Sequence, residues 1–142
     1  MKRAIVPAIR TAHDTMNDQQ YLHYVRQQWT DFANTLEQRT HSLDREHPLR
    51  ELAHRFCAVA NGEEDLYDTG PALVMRLFTH HPEFAPTLPR NLLWFLGGDC
   101  LHVLSDAEIS GFQALEEERL AAAAAGDCLD WETAARRHLP LP

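Results

Sequence analysis

Two acid-x-x-His units are the residues of this sequence best spaced to do chemistry. One is Glu51-Leu52-Ala53-His54 and the other is Asp99-Cys100-Leu101-His102. Residues three apart share a helical face, so each unit can offer a carboxylate and an imidazole to one metal. Helical bundles that hold two iron or manganese ions use Glu-x-x-His on two helices and one further Glu from each of two others. Glu37 and Glu116 could supply those on length alone. Several features weigh against the metal. The spacing recurs by chance in a chain with 21 acidic residues and nine histidines, and the second unit has the shorter Asp. Glu37 follows Leu36, which puts it about 100° from the centre of its helix's apolar stripe.

A zinc version would draw on His54, Cys57, Cys100 and His102. Cys100 and His102 are two apart and diverge on a helix, unless Gly97-Gly98 unwinds the following turn. No metal is assigned on these grounds, and iron, manganese or zinc at Glu51, His54, Asp99 and His102 stays the alternative. Asp99 has a second reading. It lies in so apolar a run that partial burial is expected, and burial raises a carboxyl pKa unless a partner compensates. His102, one turn on, is the nearest partner. A structural hydrogen-bonded pair or a kink is preferred to an acid–base pair lining a small pocket.

The remaining histidine signals are weaker. His80-His81 before Pro82 fits a helix C-terminus, where imidazolium is favoured by the dipole. His13-Asp14 has no matching histidine upstream and is set aside. No Gly-rich phosphate loop, nucleophile elbow or dinucleotide fingerprint is present. Cys57, Cys100 and Cys128 lack paired Cys-x-x-Cys spacing. No catalytic residue is assigned.

The elements that must position these residues read as helices. Asn17 with Gln20 resembles a capping box for a helix through Leu22, Val25, Trp29, Phe32 and Leu36, ending near Thr40 or Ser42. Pro48 opens a second helix, buried through Leu49, Leu52, Ala53, Phe56 and Val59 and stopped by Asn61-Gly62. Residues 63–70 read as an acidic turn. Pro71 then opens a short helix that ends before Pro82. Pro82, Pro86 and Pro89 mark an ordered, extended loop. A hydrophobic central helix comes next, from Pro89 to Leu104, with Gly97-Gly98 either admitting a close neighbour or kinking it. Ser105 to Glu108 is a capping box for a helix through Ile109, Phe112, Leu115 and Leu120 that stops at Gly126. Asp130 caps a last short helix through Trp131, Ala134, Ala135 and Leu139. Trp94 is expected in the core and Trp131 half exposed. Glu116, Glu117 and Glu118 read as a solvated face.

This pattern predicts an all-α fold: one compact bundle of five or six helices over residues 1–142, with 1–14 as a flexible or docking arm. A chain of 142 residues with 44% hydrophobic content can build a core without staples. Its longest apolar runs fall short of the ~18 residues that span a membrane. The N-terminal Met1 to Arg10 stretch lacks a signal peptide's cleavage site, so a cytoplasmic location with reduced cysteines is expected. A formal charge of -8 argues against general nucleic-acid binding and favours a basic partner surface. The function that fits is protein–protein interaction, as an adaptor, regulator or inhibitor. The first helix's stripe nearly continues as a heptad seam, so part of it could serve self-association. The alternatives are the metal-binding bundle enzyme or sensor, and a small-ligand carrier with a cavity beside Trp94 and Phe95.

Overall fold

The computed structural model describes residues 18–126 and 129–139. The fold is all-α, with six α-helices and two 3-10 helices among the described residues. The order is α1 (Asp18–Thr40), α2 (Pro48–Ala60), α3 (Leu66–His80), a 3-10 helix (Pro82–Thr87), α4 (Arg90–Leu96), a second 3-10 helix (Gly98–Val103), α5 (Asp106–Ala124) and α6 (Trp131–His138). Asn17, His13-Asp14 and the arm at 1–14 lie outside the described residues, as does Cys128. Two compact units divide the chain, Val25–Ser105 and the segments on either side of it.

In the unit Val25–Ser105, local signals explain most helix ends. Pro48 starts α2, and His47 Nδ1 accepts from the backbone N–H of Leu49 at 3.1 Å, an imidazole acting as the cap. At the other end Gly62 takes φ +84°, and the Glu63 N–H reaches the Ala58 carbonyl at 2.9 Å to close the helix. Helix α3 begins five residues before the expected Pro71. Asp65 caps it by accepting from the Asp68 N–H at 2.9 Å, and Leu66 is buried. A cap of ~1 kcal/mol and a buried Leu of ~2 kcal/mol offset the ~3 kcal/mol that an internal proline costs. The core gathers Trp29, Phe56, Leu73, Leu77, Leu92 and Leu93, all fully buried. Gly70 lets the helices pack closely there: a Cβ would stand 3.1 Å from Leu96 Cδ2 and 3.5 Å from the Trp29 ring.

The expected continuous helix from Pro89 to Leu104 is broken. Gly97 (φ +66°) and Gly98 (φ +54°) leave the right-handed region, and the chain restarts as the second 3-10 helix. Among the described residues a Cβ at either glycine would meet nothing within 4 Å, so the pair serves the kink in the backbone and not a close approach at that position. Arg90 Nη2 donates to the Val103 carbonyl at 3.2 Å, tying the two pieces back together. The change from α to 3-10 geometry explains why a single α-helical register spreads the apolar residues over every face. The Pro-rich loop is likewise tighter than expected, a 3-10 helix before the extended Leu88. Trp94, expected in the core, is only half-buried.

The second unit joins the first turns of α1 to α5 and α6. Its order corrects two apolar stripes by one residue each. Tyr21 is buried and Leu22 is 40% exposed; Arg119 is buried and Leu120 is 52% exposed. Phe112, Leu115 and Arg119 follow strict helical spacing, and the arginine fills the third position with its aliphatic stem. Its guanidinium lies 5.0 Å from the Tyr21 ring centroid and pairs with Glu116. Tyr21 packs in turn on Trp131 at 5.0 Å, which buries a tryptophan expected to be half exposed. Asp130 caps α6 through the Thr133 N–H, as predicted. The acidic run in α5 is not merely solvated: Glu118 binds both Arg137 and His138.

Candidate functional site

The two acid-x-x-His units end up on solvent-facing surfaces. Helix α2 turns Leu52, Ala53 and Phe56 inward, which leaves Glu51 and His54 exposed. In the second 3-10 helix residues three apart eclipse each other, so Asp99 and His102 do share a face, but it is the exposed one. Cys100 takes the buried position between them. The expected burial of Asp99 is therefore corrected: the Gly97-Gly98 break rotates it outward.

The thiols suit a zinc site no better. Burial, with the charge of Asp99 adding to it, pushes the Cys100 thiol up to about 11. Burial also raises Cys57, helped by Glu37, and its Sγ donates to the Ala33 carbonyl at 3.7 Å. A metal would have to displace both protons against this bias. Glu116 is engaged by Arg119 and Glu37 faces solvent. Among the described residues no group of three or more His, Cys, Asp or Glu is arranged to hold a metal ion. At the doublet before Pro82 the His81 backbone N–H caps Leu77 at 2.7 Å, a bond that any non-proline residue would make.

A groove does exist in the unit Val25–Ser105, away from the Trp94–Phe95 position expected for one. It lies between α1 and the first 3-10 helix and has a volume of about 370 Å³. Helix α1 lines it with Gln28, Asp31, Phe32, Thr35, Leu36 and Arg39. These recur every three to four residues, so they form one continuous stripe along a single helix. Phe84, Thr87 and Pro89 form the other side, because the 3-10 turn folds Phe84 inward where an extended loop would not.

The floor is apolar: Phe32, Leu36 and Phe84 are all buried in the fold. The rim is polar and held in place. Asn91 Nδ2 donates to Gln28 Oε1 at 3.1 Å, and Gln27 Nε2 donates to Asp31 Oδ1 at 3.0 Å. The Thr35 and Thr87 hydroxyls donate to the carbonyls of Asp31 and Phe84, at 3.0 and 2.7 Å. Arg39 rests its guanidinium 5.8 Å from the Phe84 ring centroid, a cation–π contact. Asp31 and Arg39 are the ionisable side chains of the lining. The arrangement offers recognition surfaces but no nucleophile with an adjacent base. Sequence reading missed this site because its two walls are more than forty residues apart and meet only in the fold.

The chain belongs to the PA2817-like family, whose family model matches residues 15–142. No curated protein and no solved structure matches it.

Proposed function

We propose that this member of the PA2817-like family works by holding a partner protein, as an adaptor, regulator or inhibitor, and that the α1 groove receives that partner. The observation that carries the reading is the groove's construction: a buried aromatic and aliphatic floor inside a rim of oriented polar groups. That is the composition of a recognition surface, in which apolar anchors supply affinity and the rim supplies register. Sites for small metabolites enclose most of their ligand. A trough along one helix leaves one side of its occupant in water, which suits a segment that continues into a larger partner. A cytoplasmic setting belongs to the same proposal and is supported by the free thiols of Cys57 and Cys100.

Site-specific photocrosslinking tests this. A benzophenone amino acid is placed at Thr35 in the groove and, as a control, at exposed Gln113 on α5. The expected result in the native host is one discrete adduct from position 35, absent from position 113 and lost on Arg39→Glu. The adducted protein is then identified, purified and shown to bind wild type at least ten-fold more tightly than Arg39→Glu. Identical adducts from both positions, or binding indifferent to Arg39→Glu, would overturn the proposal.

A further inference from the structure

We infer that the groove's occupant is an extended peptide segment with an apolar middle, a basic side chain set against Asp31 and a carboxylate set against Arg39. This rests on the groove being the binding surface, and it adds the chemistry of what binds. Asp31 and Arg39 are eight residues apart on α1, about 12 Å along the axis at the α-helical rise. An extended chain advances about 3.3 Å per residue, so it bridges them in three to four steps. Side chains two apart on a strand point the same way. One apolar residue midway between the charged pair therefore meets Phe32, Leu36 and Phe84.

The rim selects the extended form, because it meets the needs of exposed backbone. An α-helix satisfies its own peptide N–H groups and would leave the rim's acceptors unused. The hydroxyl protons of Thr35 and Thr87 go to Asp31 and Phe84 carbonyls, so their oxygens keep lone pairs that can accept from peptide N–H groups.

Charge sets the register. The Phe84 ring supports the Arg39 guanidinium from one side, leaving its planar fork to meet a carboxylate. Gln27 holds the Asp31 carboxylate in place at the other end. A segment with two basic or two acidic ends meets repulsion at one of them, so the groove selects for mixed charge.

The test uses fluorescein-labelled, end-blocked pentapeptides read by fluorescence polarisation against the full chain. One has the pattern Lys-Thr-Leu-Thr-Glu, and two others place Lys at both ends or Glu at both ends. Wild type is expected to bind the mixed peptide at least ten-fold more tightly than either other. Asp31→Lys should move the preference to the doubly acidic peptide and Arg39→Glu to the doubly basic one. Three equal affinities, or preferences unmoved by these exposed substitutions, overturn the inference. If that happens while the position-35 crosslink persists, the charge pattern is wrong and the groove reading stands. Loss of both the crosslink and all peptide binding refutes the groove itself.

Discussion

Trp29 and Phe56 stack nearly parallel, with ring centroids 4.7 Å apart and planes 10° from coplanar, and the Trp29 Nε1–H donates to the Phe56 carbonyl at 2.9 Å. One side chain thus joins α1 to α2 through both its ring face and its polar edge. Truncating it with Trp29→Ala is expected to cost about 3–5 kcal/mol. Trp29→Phe keeps a stacked ring but drops the buried donor, for about 1 kcal/mol. Urea unfolding of the three proteins checks the ordering; a Trp29→Phe variant as stable as wild type would show that the N–H contributes nothing.

Gly111 inverts the usual rule for a helical glycine. Replacing glycine by alanine within a helix ordinarily adds about 0.5–1 kcal/mol of stability. Here a Cβ would drive into the His138 carbonyl and stand 2.9 Å from Leu139 Cδ2. Backbone yields less readily than a side-chain tip, so Gly111→Ala is expected to destabilise by about 1–3 kcal/mol. A stabilised variant in urea would mean that α6 does not pack on α5 at this point.

Glu118 gives the α5–α6 pair a pH dependence. The hydrogen bond from His138, with the charges of Arg137 and His138, holds its carboxyl below the ordinary 4.5. A carboxyl whose pKa is lower folded than unfolded contributes stability above the unfolded value, and loses it as pH falls through the folded one. Glu118→Gln should therefore melt a little below wild type at about pH 6, by roughly 1–3 °C for a solvent-screened pair. The two should converge near pH 3. Melting curves across that range decide it: a gap that persists in acid contradicts the assignment.

Legibility in the sequence followed the range of the signal. Pro48 and Asn61-Gly62 marked α2 to the residue because caps and turns are local. Asp65 was passed over because Pro71 is the louder signal, although a proline six residues into a helix forfeits only one backbone bond. Hydrophobicity alone puts Leu22 and Leu120 in the stripes that Tyr21 and Arg119 occupy. The fold instead chose by spacing, and paired the arginine with Glu116 and an aromatic ring. Asp99 and His102 were correctly placed on one face, but the face could not be oriented without the backbone angles of Gly97 and Gly98. The groove was illegible for a different reason. Phe32 and Leu36 read simply as core, and nothing near Phe84 says that a 3-10 turn will bring it alongside them.

The glycine pair also bears on the order in which structure forms. It confines α4 to seven residues, well below the ~12–15 at which an isolated helix holds together in water. Helix α4 cannot nucleate by itself and cannot borrow length from the 3-10 helix beyond the break. Its turns become stable only when Leu92, Leu93 and Leu96 find an apolar surface, including the bare backbone of Gly70 on α3. Helix α4 thus forms together with the core it packs into, and its amides should exchange with solvent only when that core of the unit Val25–Ser105 opens.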